Sequence, residues 1–162
     1  MLSRALKINA RNLSMPARAR SFFSTSSKLQ TPLLYTETHE WIKVNKDTNT
    51  ARVGISSYAA DKLGEVTYVT LEEIDFDDED SLQLSKGEDM VEIESVKAAE
   101  TIKMPVKGKI TKINDDVLEQ AVICGRDPED SGWLTEIEIE DMAEIDGLMT
   151  KEQYQAFCEG EA

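Results

Sequence analysis

The stretch that decides the fold is residues 89–104, which run Asp-Met-Val-Glu-Ile-Glu-Ser-Val-Lys-Ala-Ala-Glu-Thr-Ile-Lys-Met. Apolar and polar residues alternate over 89–94 and again over 100–104, a period of two that is typical of half-buried β-strands. Lys97 lies in the short segment between them. The pattern therefore predicts a β-hairpin with Lys97 at its tip, its amine in water and within reach of a modifying enzyme.

Further short strands are predicted on both sides of this hairpin, because other segments are also rich in β-branched and aromatic residues or alternate with a period of two. They cover residues 35–44, 50–55, 65–71, 109–113 and 133–139, with a loop expected at 125–132.

Two helices carry clear start signals. Ser56 is a candidate N-cap for a short helix over 57–63, which Gly64 would end. Thr150 and Gln153 form a capping box that opens a C-terminal helix. Many short strands with two or three short helices predict a mainly β fold, a compact sandwich or flattened barrel.

The first thirty residues differ in composition from the rest of the chain. They contain six Lys and Arg, many Ser and no acid, and residues 18–23 are typical of a processing site. Such a leader is typical of a mitochondrial transit peptide, so we expect residues 1–30 to be removed, with the cut between 20 and 34. The domain proper would cover 35–158, in the mitochondrial matrix. A basic arm that binds anionic surfaces is the alternative.

Beyond the leader the chain is strongly acidic. Residues 31–162 hold 12 Lys and Arg against all 32 Asp and Glu, a net charge of about −20. A domain of this charge repels nucleic acid and anionic membrane surfaces, so neither is an expected partner. Basic protein surfaces are favoured, although solubility alone would explain the charge.

Few of the common catalytic or metal-binding arrangements can be built from this sequence. His39 is the only histidine, and Cys124 and Cys158 are too few for a disulfide framework or a zinc site. The acidic run at 72–80 lacks the glycine and the final glutamate that a calcium loop requires. We therefore expect no metal and no catalytic residue, and a carrier rather than an enzyme.

Six short motifs occur along the chain in a characteristic order. They are THEW at 38–41, GISSYA at 54–59, LGEV at 63–66, ESVKA at 94–98, PVKG at 105–108 and GWL at 132–134. With these motifs the chain from about Tyr35 to Phe157 resembles the H proteins of the glycine cleavage system, which are lipoylated carriers.

The resemblance implies a lipoyl/biotinyl-type β-sandwich in which Lys97 carries lipoate in amide linkage. It implies that Glu94, Ser95, Val96 and Ala98 form the motif that the lipoyl-attaching enzyme recognises. The arm would carry the aminomethyl group of glycine and would pass electrons onward, with no catalysis by this chain itself.

The resemblance also implies the partners. A pyridoxal-phosphate glycine decarboxylase would load the arm, an aminomethyltransferase would pass the carbon to tetrahydrofolate, and dihydrolipoyl dehydrogenase would reoxidise the arm. In the family, acids hold the loaded amine in a cleft. The candidates here are Glu40 and Glu100, because the usual acid four residues after the lysine is replaced by Thr101.

Three rival interpretations remain. A biotin carrier would use Lys103, but only Lys97 lies eleven residues before Gly108, the spacing found in both carrier families. A lipoyl domain that serves a 2-oxoacid dehydrogenase, or a lipoate relay, would share the hairpin, although such domains come with linkers and a large catalytic domain. An acidic scaffold with an unmodified Lys97 is the alternative from a different class.

Overall fold

Nine β-strands, four short α-helices and a 3-10 helix make up the part of the chain that the computed structural model describes, residues 31–71 and 74–162. The strands are β1 (Leu34–Tyr35), β2 (Glu40–Asn45), β3 (Thr50–Ile55), β4 (Val66–Thr70), β5 (Gln83–Leu84), β6 (Asp89–Ser95), β7 (Ala99–Lys103), β8 (Gly108–Ile113) and β9 (Thr135–Ile139). The helices are α1 (Ser57–Leu63), α2 (Asp115–Glu119), α3 (Val122–Arg126) and α4 (Lys151–Glu161), with the 3-10 helix at Met142–Gly147. The predicted leader lies outside the described residues, as do positions 72 and 73 of the acidic run.

The strands form two antiparallel sheets. One has the order β1-β2-β3-β9-β8-β5 and the other the order β4-β6-β7. Inward-facing residues of both sheets join in one apolar cluster, in which Val53, Ile93, Ile110 and Ile137 are fully buried. The prediction of a mainly β sandwich with short helices is confirmed.

The helices with clear start signals form where the sequence places them. The Ser56 hydroxyl accepts a hydrogen bond from the Ala59 amide, and Gly64 ends α1 with a φ of +74°. At the other end of the chain, Thr150 and Gln153 make both hydrogen bonds of the predicted capping box of α4. These local signals are confirmed because both partners of each bond lie within one helical turn.

Two predictions about the segment between β8 and β9 need correction. The loop expected at 125–132 begins two residues later, since Gly125 and Arg126 complete α3. Neither α2 nor α3 was predicted as a helix. Helices of five residues are too short to show a 3.6-residue period and are held by tertiary packing. Gly125 makes part of that packing possible, because a Cβ there would lie 3.2 Å from a methyl group of Val66.

The first predicted strand is also interrupted. Residues 36–39 form a turn between β1 and β2, in which His39 has a φ of +73°. A non-glycine residue in this left-handed region is uncommon and is held there by its surroundings. This turn brings His39 and Thr38 close to the Lys97 hairpin.

Candidate functional site: the Lys97 hairpin and its cavity

Lys97 lies at the tip of the hairpin formed by β6 and β7. The last residue pair of this ladder is Glu94 with Ala99, and Ser95 closes the bend beyond it. The Ser95 amide donates to the Ala98 carbonyl at 2.7 Å, and the Ser95 hydroxyl oxygen accepts from the Ala98 amide at 3.0 Å. Ser95 therefore shapes the bend, and the side chain of Lys97 is exposed as the sequence predicted.

The tip of the hairpin is fastened to the end of α1. The Val96 amide donates to the Glu65 carbonyl at 3.1 Å. The side chain of Lys97 passes over Gly64, where an added Cβ would lie 3.3 Å from Cε and 3.6 Å from Nζ. The positive φ that ends the helix favours glycine at this position, and an added Cβ would also crowd the lysine side chain.

A cavity of about 220 Å³ opens beside the hairpin. Three segments line it, namely β7 with its approach, the turn before β2, and one face of α1. The lining residues are Ala98, Glu100, Thr101, Ile102, Thr38, His39, Ala59, Lys62 and Leu63. From Ala98 to Ile102 a strand extends about 13 Å, at about 3.3 Å per residue. The lining of the cavity follows β7 from Ala98, the residue after the lysine, and we call this cavity the channel.

The wall at His39 is held by the C-terminal helix. Nδ1 of His39 lies 2.8 Å from the hydroxyl oxygen of Tyr154, and Nε2 lies 3.3 Å from a carboxylate oxygen of Glu161. The same tyrosine hydroxyl lies 2.7 Å from the hydroxyl of Ser56, the cap of α1. Burial raises the pKa of Tyr154 above its ordinary value, which keeps the phenol protonated. One hydroxyl thus joins α4 to two walls of the cavity.

The two candidate acids occupy different places. The carboxylate of Glu40 is buried, with 1% of the residue exposed, and accepts from the hydroxyls of Thr36 and Thr38. Its other oxygen accepts from the Lys103 amide at 3.0 Å. Glu40 therefore ties the turn to the end of β7 and reaches the cavity only through Thr38. Glu100 is exposed and lines the cavity directly.

Among residues 31–71 and 74–162, no cluster of three or more Asp, Glu, His or Cys side chains is placed to hold a metal ion. Within the same residues, none of the helices has the length and apolar character needed to cross a membrane.

Comparison with known proteins identifies the family. The family model described as "Glycine cleavage H-protein" matches residues 33–161, most of the chain. The chain belongs to the glycine cleavage H-protein family. A glycine cleavage system H protein of Thermotoga maritima is 39% identical over 124 residues, which cover 76% of this chain and 94% of that protein. The mitochondrial glycine cleavage system H protein 2 of Arabidopsis thaliana is 34% identical over 152 residues, covering 94% of this chain and 90% of that protein.

A solved structure agrees with the family assignment. The crystal structure of a glycine cleavage system H protein from Mycobacterium marinum superposes with a TM-score of 0.65 at 27% identity. The match covers 78% of this chain and 95% of that one. The sandwich described above is thus the lipoyl-type fold of the H-protein family, which confirms the predicted fold class.

Within this H-protein fold the structure adds residues that sequence reasoning missed. His39 and Lys62 both line the cavity, and neither was singled out as part of a site. For Lys62 the signal was available, since it lies in α1 directly before the LGEV motif at 63–66. For His39 the missing information was the contact with Tyr154, which lies 115 positions away along the chain.

Proposed function

We propose that this chain is a lipoylated carrier of the glycine cleavage system, with lipoate in amide linkage on Lys97. It takes the aminomethyl group of glycine from one enzyme to the next and passes electrons onward. Membership of the H-protein family supports the carrier role in glycine cleavage. One observation supports Lys97 as the attachment site: its side chain is exposed at the tip of the hairpin, beside the channel.

The position of Lys97 suits amide formation. Its neutral amine attacks the carbonyl carbon of a lipoyl adenylate, so that a C–N bond forms, the C–O bond to phosphate breaks, and AMP and a proton leave. Lysine amines are normally protonated at neutral pH, so the attaching enzyme must remove a proton first. The Ser95 bend holds the backbone of Lys97 in place, and its exposed side chain leaves the amine open to attack.

The residues beside Lys97 fit a lipoyl arm. When bound, the dithiolane supplies a disulfide that accepts a carbon fragment on one sulfur and closes again by thiol–disulfide exchange. The channel along β7 is comparable in length with an extended lipoyl-lysine, and Ala59, Leu63 and Ile102 give it apolar walls. Such walls exclude water from a cargo that water would release.

Glu100 gives the channel a negative charge that suits an amine, and the cation Lys62 lines the same channel. Glu100 lines the channel and would pair with the cationic amine of the cargo. Glu40 acts on the channel through Thr38, whose hydroxyl donates a hydrogen bond to the Glu40 carboxylate at 2.6 Å. Both residues remain candidates for retaining the cargo, one by direct contact and one by orienting Thr38.

The partners follow from the family. They are a pyridoxal-phosphate glycine decarboxylase, a tetrahydrofolate-dependent aminomethyltransferase, dihydrolipoyl dehydrogenase and the lipoyl-attaching enzyme. The charge of about −20 on residues 31–162 favours basic surfaces on all four and disfavours nucleic acid and membranes. The basic leader and the mitochondrial relative in Arabidopsis support a location in the mitochondrial matrix.

The experiment is an intact-mass measurement on the chain after incubation with a lipoyl-attaching enzyme, lipoate and ATP. We expect one lipoyl group, located by peptide mapping to Lys97, and none on a Lys97→Arg variant, because an arginine guanidinium stays protonated and does not form the amide. Lys103→Arg is the matched control and should be lipoylated like the parent chain. A lipoyl group on Lys103 or Lys107 of the unmutated chain would refute the attachment site.

A functional readout completes the test. With the three partner enzymes and tetrahydrofolate, the lipoylated chain should support glycine-dependent reduction of NAD, and Lys97→Arg should not. Equal rates with and without lipoate on the chain would contradict the carrier role.

A further inference from the structure

Two large apolar side chains are exposed next to Lys97. Val96, its immediate neighbour, is 75% exposed, and Tyr68 on β4 is 56% exposed. Tyr68 pairs with Glu94 across β4 and β6, and Glu94 pairs with Ala99 across β6 and β7. Tyr68 and Glu94 thus lie on the solvent-facing side of the three-stranded sheet, and Val96 is exposed in the bend next to the lysine.

This outer face is held rigidly. Thr67 donates a side-chain hydrogen bond to the Glu94 carbonyl at 3.1 Å, and the Val96 amide donates to Glu65 at 3.1 Å. An exposed aromatic side chain such as Tyr68 on a fixed backbone is a typical anchor of an interface, because little conformational entropy is lost when it is covered. Val96 adds apolar area next to the lysine.

The surroundings of these side chains are acidic. Segments 61–70 and 92–101 contain the acids Asp61, Glu65, Glu92, Glu94 and Glu100, and their only cations are Lys62 and Lys97. Glu65 and Glu94 are exposed. A complementary partner would therefore offer an apolar hollow for Tyr68 and Val96 within a basic rim.

The geometry of the reaction decides which partner must cover this face. For the enzymes that use the arm, the reacting sulfur lies at the far end of the arm, away from the hairpin. The attaching enzyme has no arm to bridge the gap and must bring its activated carbonyl to the amine of Lys97. It must therefore contact the residues that immediately surround this lysine.

We propose that the outer face made by Tyr68, Glu94 and Val96 is the docking surface for the enzyme that attaches lipoate, an inference that rests on the proposed function. Tyr68 is a recognition residue outside the linear Glu94–Ala98 motif, brought to it by strand pairing. Within that motif, Glu94 and Val96 face the partner, whereas Ser95 shapes the bend.

The test uses the unlipoylated chain with a purified attaching enzyme, lipoate and ATP, and follows the initial rate by intact mass. Tyr68→Ala and Val96→Ser should each lower kcat/KM for attachment about tenfold, the usual effect of truncating an interface anchor. Phe76→Ala is the matched control, because Phe76 is also an exposed aromatic residue, at 48%, but lies on the connection to β5. Its rate should equal that of the parent chain.

Salt dependence gives a second readout. Added salt should slow attachment to the parent chain, because it screens the attraction between an acidic face and a basic rim. Glu94→Gln should weaken this salt dependence. Asp47 is an exposed acid in the turn that joins β2 and β3, and Asp47→Asn should leave the salt dependence unchanged.

A third measurement fixes the identity of the partner. Tyr68→Ala can be driven to full lipoylation with excess enzyme, and its lipoyl disulfide can then be reduced to the dithiol with a phosphine. Dihydrolipoyl dehydrogenase with NAD should reoxidise this dithiol at the rate of the lipoylated parent if the face serves attachment. Parental attachment rates for both Tyr68→Ala and Val96→Ser would overturn the docking surface. An equal defect in the dehydrogenase or decarboxylase step would assign the face to another partner and overturn it as well. A parent chain that excess enzyme leaves unmodified at Lys97 would instead refute the proposed function.

Discussion

Replacing Glu40 and Glu100 by glutamine, singly and together, separates an acid that holds the fold from one that faces the cavity. Glu40 is buried and accepts three hydrogen bonds, from two threonine hydroxyls and the Lys103 amide. Glu100 is exposed and lines the cavity, and its carboxylate makes no ion pair or hydrogen bond within residues 31–71 and 74–162. The structure therefore predicts different consequences for the two substitutions.

The magnitudes follow from these contacts. A hydrogen bond to a charged group contributes about 1.5–3 kcal/mol and a neutral one about 0.5–1.5 kcal/mol, so each bond loses about 1 kcal/mol on neutralisation. With three bonds, Glu40→Gln should lower the free energy of unfolding by about 2–4 kcal/mol. Glu100→Gln should change it by less than about 0.5 kcal/mol, as is usual for a surface substitution.

For spontaneous loss of the cargo we expect the opposite order, with the larger effect from Glu100→Gln. A partly shielded pair between Glu100 and the cationic amine is worth about 1–3 kcal/mol, so Glu100→Gln should speed spontaneous cargo loss about tenfold. Glu40→Gln should speed it less, because Glu40 acts through Thr38. Urea unfolding measures the first quantity, and timed release of ammonia from the loaded, lipoylated chain measures the second. Glu138→Gln, an exposed acid on β9, is the control for both.

Three results would refute this reasoning. An unchanged stability of Glu40→Gln would mean that its hydrogen bonds contribute little. Faster cargo loss in Glu40→Gln than in Glu100→Gln would mean that Glu40 itself contacts the amine. Unchanged loss in both variants and in the double variant would remove the shelter altogether and leave the carrier role of Lys97 intact.

Three further outcomes are expected. Tyr154→Phe should lower the free energy of unfolding by about 1–3 kcal/mol, because it removes the hydroxyl that joins His39 to Ser56. Burial raises the pKa of Tyr154 in the folded chain, whereas the unfolded chain loses this proton as the pH rises above about 10. The free energy of unfolding should therefore fall above this pH, and it should fall less steeply in the Tyr154→Phe variant. Burial raises the pKa of Cys124 to about 12, so iodoacetamide at pH 8 should label this thiol only after unfolding, as mass spectrometry would show. The leader should direct a reporter into mitochondria and be cut between residues 20 and 34, which N-terminal sequencing checks.

Each of these has a clear contrary result. Parental stability and an unchanged alkaline slope for Tyr154→Phe would show that α4 does not hold the cavity wall through this hydroxyl. Labelling of native Cys124 would show that its burial is transient. A mature chain from mitochondria that still begins at Met1 would contradict the transit peptide.

The sequence alone indicated much of the fold, because the informative signals were local. The alternation in 89–104, the Ser56 cap and the Thr150 capping box each involve residues within a few positions of one another, so their meaning does not depend on the rest of the chain. The same holds for Lys97, whose exposure at a hairpin tip follows from two strands and a short bend. Helices α2 and α3 could not be predicted in this way, since five residues carry too little pattern.

What the tertiary structure decided is which distant groups meet. Glu40 and Lys103 are 63 positions apart, yet their contact makes Glu40 a buried structural acid instead of an open wall of the cavity. Tyr68 reaches the lysine motif through the pairing of β4 with β6, and His39 becomes a wall of the channel because Tyr154 holds it. None of these contacts has a local sequence signal, because each depends on burial and strand register, which exist only once the two sheets have packed.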